Sequence, residues 1–80
     1  MDNVEYKFRK NLGFNICTER RRKDLTQETL AEIVDVSTKH LTKIENGQVT
    51  TNIYLISKIA KALEVTIDDL VTEYKKDHKS

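Results

Sequence analysis

Residues 25–47 read LTQETLAEIVDVSTKHLTKIENG, a stretch that encodes two short helices joined by a tight turn. Thr26 is a hydroxyl N-cap, after which Leu30, Ala31 and Val34 fall at i, i+1 and i+4 and share one helical face. Asp35 and Val36 interrupt the pattern before a second N-cap at Ser37. The helix that follows runs to Asn46. Its apolar positions are only Leu41 and Ile44, three apart, so one side docks on a core while Thr38, Lys39, Thr42 and Lys43 point away from it. That outer side carries donors and no acid. Gly47 stands where a left-handed residue closes a helix, a conformation that costs least without a Cβ.

Working outward, a first helix starts near Val4 to Tyr6 and reaches about Lys23, with Leu12, Ile16 and Arg20 on one stripe. Gly13 in its interior costs about 1 kcal/mol relative to alanine, which points to close approach of another helix. A fourth helix begins after the N-cap Asn52 and turns Ile53, Ile56, Ile59, Ala60 and Leu63 inward, an arc of roughly 120° on a helical wheel. Leu55 sits at the edge of that arc and Tyr54 outside it. A fifth starts after Thr66, with Asp68 and Asp69 in the first turn facing the positive end of the helix dipole, and continues through Leu70 and Val71 toward Tyr74. Residues 1–3 are expected to be ragged and the apolar-free tail, about 76–80, mobile. The reading is an all-α, five-helix arrangement with residues 1–80 in one domain.

Composition agrees. Hydrophobic residues make up 38% and charged residues 34%, with two glycines and no proline, which favours a small helical core. The net charge of +1 gives no argument for nucleic acid, but placement does more. Arg20, Arg21, Arg22 and Lys23 end the first helix and Lys39 and Lys43 lie on the third, while Glu64, Asp68, Asp69 and Glu73 gather toward the C-terminus. One cysteine, Cys17, excludes an internal disulfide and reads as a partly buried thiol beside Leu12 and Ile16. Without a secretory signal or an apolar run of membrane length, the expected location is cytoplasmic, with no membrane association. No catalytic residue, cofactor or metal ligand is expected. His40 and His78 lie on different elements, no Cys/His spacing suits zinc, and neither glycine belongs to a phosphate-cradling loop.

The stretch at 26–46 is a helix-turn-helix signature and resembles the DNA-binding family of lambdoid phage repressors and Cro, with the one-domain bacterial regulators similar to them. The likeness extends upstream to Leu12-Gly13, Ile16 and Arg20 and downstream to KIAKALEVTIDDL at 58–70. Asp24, Asp35 and Glu64 depart from it, standing where the family commonly has glycine. The resemblance implies a lambda-repressor-like fold and a pairing of Arg20 with Glu45 that fixes the angle between the first and third helices.

It also implies a DNA-binding set of Thr26, Gln27, Ser37, Thr38, Lys39, His40, Thr42, Lys43 and Asn46. A helix fits the major groove and its N-terminal residues reach base edges, while the preceding helix crosses the phosphates. Gln27 either contacts a phosphate or braces the recognition helix. Thr38, Lys39, Thr42 and Lys43 face base edges or flanking phosphates, Asn46 contacts the backbone, and Gln48 to Asn52 lie along it. Lysine donates to guanine O6 and N7, and a threonine methyl touches the thymine methyl. The implied partner is double-stranded DNA bound by a homodimer. Leu55, Ile67, Val71 and Tyr74 are the candidate dimer surface, with Val4, Tyr6 and Phe8 of the first helix as the competing one. A second function class is an antitoxin-type module that sequesters a protein partner and autoregulates its operon.

Overall fold

The computed structural model describes residues 3–73, as five helices in the order α1 (Asn3–Arg22), α2 (Gln27–Val34), α3 (Thr38–Glu45), α4 (Ile53–Leu63) and α5 (Ile67–Val71). Tyr74, His78 and the tail at 76–80 lie outside the described residues.

Each of the last four helices starts at a side-chain cap. Thr26, Ser37, Asn52 and Thr66 accept from the backbone N–H three residues on, and Thr66 forms a reciprocal box with Asp69. The first four helices end alike. After α1, Asp24 N–H bonds Arg21 O and Leu25 N–H bonds Arg20 O; the same pair of bonds closes α2 at Asp35 and Val36, α3 at Gly47 and Gln48, and α4 at Glu64 and Val65. The closing residues Asp24, Asp35, Gly47 and Glu64 all have φ between 59° and 72°. Three acids therefore adopt the conformation usually left to glycine, and after each of them an apolar residue, Leu25, Val36 or Val65, folds back on the core.

That core is built from Leu12, Ile16, Leu30, Ala31, Val34, Leu41, Ile44, Leu55, Ile56, Ile59, Ala60, Leu63 and Leu70. Two expectations for α4 are corrected. Ile53, expected to face inward, is 64% exposed, and Leu55, expected at the margin and assigned to a contact between copies, is 8% exposed and belongs to the core. The buried arc is turned about the helix toward Leu55, so α4 presents Leu55, Ile56, Ile59, Ala60 and Leu63 to its neighbours, with Ile53 on the solvent flank.

The fifth helix is shorter than its sequence pattern. It ends at Val71 because Thr72 turns to extended backbone, and α1 takes up the carbonyls that a further turn would have used. Asn11 Nδ2 donates to Val71 O and Thr72 O, and Asn15 Nδ2 donates to Leu70 O at 2.7 Å and to Thr72 O at 3.0 Å.

Candidate nucleic-acid interface

The third helix is fixed at depth by α1. Gly13 lies so close to its C-terminal end that a Cβ there would stand 2.5 Å from Ile44 O. Arg9 Nε donates to Gly47 O at 3.0 Å and Lys10 Nζ to Asn46 O at 3.1 Å, tying the carbonyls beyond the helix to α1.

Beside this contact runs a polar chain that crosses three helices. Arg20 Nε donates to Glu45 Oε2 at 2.7 Å and Nη2 to Glu45 Oε1 at 3.0 Å, a bidentate pair with both residues buried. Two further guanidinium N–H groups are occupied as well, Nη1 by Leu25 O at 2.8 Å and Nη2 by Cys17 Sγ. The hydrogen bonds that Arg20 donates to the Glu45 carboxylate hold its pKa above the ordinary value. Gln27 Nε2 then donates to Glu45 Oε1 at 2.9 Å, and the Thr42 hydroxyl lies 3.0 Å from Gln27 Oε1 and 2.9 Å from Thr38 O. The chain thus runs from the core face of α1, through α2, to the outer side of α3.

On that outer side Lys39 and Lys43 are exposed, as is Asn46 just past the helix, and Thr38, His40 and Thr42 are half-buried. Thr26 and Ser37 each spend a hydroxyl lone pair on a cap, accepting from Thr29 N–H and His40 N–H at 3.0 Å. Two hollows flank the helix. One is lined by Arg20, Arg21, Thr26, Gln27, Glu28 and Thr38, the other by His40, Thr50, Thr51, Asn52 and Leu55. In the second, Thr51 Oγ1 is buried with no hydrogen-bond partner among the described residues.

The structure therefore brings Gln27, Thr38, Lys39, His40, Thr42 and Lys43 around one helix. Arg9, Lys10, Asn11 and Asn15, which hold the ends of α3 and α5, were missed by the sequence reading; the i, i+4 spacing of Asn11 and Asn15 is the one signal that marks a shared face. Among the described residues no His, Cys, Asp and Glu cluster could hold a metal ion, and no helix is long and apolar enough to cross a membrane. The candidate dimer residues differ in burial. Leu55 is in the core, Ile67 and Val71 are half-buried against it, and a groove lined by Val4, Lys7, Phe8, Asn11, Val71 and Glu73 joins the two surfaces that the sequence set in competition.

Comparison with known proteins places this geometry in a class. A model of the family described as Helix-turn-helix matches residues 18–70, and the chain belongs to that family of lambda-repressor and Cro-like DNA-binding transcription regulators, which are not enzymes. Among its relatives, Antitoxin PezA of Streptococcus pneumoniae is 38% identical over 64 residues, which is 80% of this chain but 40% of PezA. Control protein C.MunI of a Mycoplasma species is 28% identical over 58 residues, 72% of this chain and 78% of that protein. The crystal structure of the restriction-modification controller protein C.AhdI from Aeromonas hydrophila superposes with a TM-score of 0.79 at 28% identity, covering 84% of this chain and 97% of the other.

Proposed function

We propose that the chain is a sequence-specific transcriptional regulator that lays α3 in the major groove and binds a two-fold symmetric operator as a homodimer. The observation that carries this reading is the outer side of α3, where Thr38, Lys39, Thr42 and Lys43 are presented without an acid on a helix fixed from behind by Gly13 and the Arg20–Glu45 pair. Its N-terminal turn and the caps of α2 and α4 meet the phosphates on either side. Arg21 serves one strand, and Thr50 and Asn52 the other. A cytoplasmic location follows from this reading.

Two copies meet through the groove of Val4, Phe8 and Val71, together with Ile67, and the two-fold axis sets the recognition helices roughly 34 Å apart. Binding-site selection from random duplexes with purified protein tests the reading. The expected product is a palindromic site, and a pool that never enriches sinks it. Sedimentation equilibrium on wild type and Phe8→Asp tests the interface, which is abandoned if the variant dimerises as well as wild type.

The identity to Antitoxin PezA supports a second reading, an antitoxin-type module that also binds a protein partner. The controller proteins, one matched over 97% of its length, support a restriction-modification role within the first. The adjacent reading frame separates them: a small toxin favours the second reading, a methyltransferase or endonuclease the controller role.

A further inference from the structure

The partners of Gln27 fix which way its amide points. A carboxylate only accepts, so the end facing Glu45 Oε1 is the nitrogen, and Oε1 faces Thr42. The Thr42 hydroxyl has one proton, and the two oxygens in reach, Gln27 Oε1 at 3.0 Å and Thr38 O at 2.9 Å, are both acceptors. That proton is used inside the protein. Thr42 has no donor left for guanine or for thymine O4, and what it offers a groove is a methyl group and the lone pairs of its oxygen.

The rotamer is fixed too. Threonine in a helix divides between two χ1 wells, and the bond to the carbonyl four residues back selects one of them. Gln27 reinforces that choice and is itself anchored through Glu45 to Arg20, so the orientation of a half-exposed side chain on α3 is set from the core.

We propose that Thr42 is a specificity-determining residue that reads the 5-methyl group of a thymine with its own methyl, and that Gln27 is the positioning residue that holds it in place. The inference rests on the DNA-binding reading above and names the base feature recognised. Thymine is the one base that carries a methyl in the major groove, so the contact distinguishes T·A from the other pairs with no hydrogen bond.

The test uses the selected duplex and copies in which deoxyuridine replaces each symmetric pair of thymines in turn, deleting only the methyl. Wild type is expected to bind one such copy about tenfold more weakly, from a buried methyl in each half-site. Thr42→Ser keeps the hydroxyl network and removes the methyl, and is expected to bind the thymine and deoxyuridine duplexes equally at that position. Gln27→Leu, folded by circular dichroism, is expected to discriminate less than wild type there, an effect that mere loss of stability does not produce. Wild type indifferent to every replacement, or Thr42→Ser with undiminished discrimination, overturns the assignment to Thr42. Undiminished discrimination in folded Gln27→Leu overturns the role of Gln27. Failure to select any specific duplex overturns the parent reading instead.

Discussion

The backbone carbonyl of Glu45 occupies the space that a Cβ on Gly13 would need, so α1 and α3 meet backbone to backbone at the base of the recognition helix. No flexible side chain can yield there, since the next nearest atoms are Ile44 O and the Glu45 carbonyl carbon. Gly13→Ala is therefore expected to lower stability by about 1–3 kcal/mol although alanine is the better helix former, because overpacking outweighs propensity. Urea denaturation measures it, and a variant as stable as wild type would show that the two helices can part at no cost.

Removing one partner of the Arg20–Glu45 pair leaves a buried charge unmatched. Arg20→Leu or Glu45→Leu alone is expected to cost about 3 kcal/mol, whereas the two changes together recover most of the loss. The raised pKa of Arg20 adds stability that is complete below its ordinary value and lost only as pH rises through the folded one, so this contribution is flat across the neutral range. Thermal melts of the three variants decide the matter; additive losses in the double variant would mean that the two groups do not act as a pair.

Much of this was legible in the sequence because it is local. Caps at Thr26, Ser37, Asn52 and Thr66, and an apolar stripe at helical spacing, depend on neighbours within four residues, and the helix starts they mark are found there. The rotation of α4 was not legible, since Ile53 and Leu55 are equally apolar and only the surfaces of the packed neighbours choose between them. The end of α5 depends on Asn11 and Asn15, some sixty residues away in the chain, as did the role of Gln27, whose partners come from another helix. Side-chain networks between elements leave no periodic trace.

The left-handed acids offer a measurable comparison. A Cβ in that region costs about 1–2 kcal/mol, less for Asp, while glycine gives back about 0.4–1 kcal/mol through its freer unfolded chain. Asp35→Gly is thus expected to raise stability by about 0.5 kcal/mol. Glu64→Gly gains less because it removes the ion pair with Lys23. Gly47→Ala loses, since φ is +72° and its Cβ would lie 2.5 Å from Lys10 Cδ. Chemical denaturation of the three variants checks the order, and an Asp35→Gly protein less stable than wild type contradicts it.

Acid should weaken the domain through two exposed carboxylates. The Thr66 backbone N–H, then its side chain, hold Asp69 below its ordinary value of 3.8, and the hydrogen bond and charge of Lys23 hold Glu64 below 4.5. A depressed folded-state pKa contributes stability that is present above the unfolded value and is lost as pH falls through the folded one. Stability is therefore expected to be level down to about pH 5 from these two groups and to decline below it. Asp69→Asn should flatten part of that decline in urea titrations at successive pH values, and an unchanged acid limb in this variant would rule out the Thr66–Asp69 box as a source.

Lys43 stands exposed on the last turn of α3, on the side away from Leu41 and Ile44. Lys43→Ala is expected to weaken binding to the selected duplex by about 1–3 kcal/mol with the helical circular dichroism unchanged. Salt dependence then resolves both its contact and the stoichiometry. Each phosphate neutralised adds about 0.9 to the slope of log K against log salt, so a homodimer that loses Lys43 twice is expected to show a slope shallower by about 1.8, and a monomer by about 0.9. Donation to guanine O6 or N7 would instead make the loss depend on one base pair, vanishing on duplexes that lack it. Gel-shift titrations between about 50 and 200 mM salt supply the slopes. A change near 0.9 removes the dimer from the mechanism, and wild-type affinity on every duplex removes Lys43 from the interface.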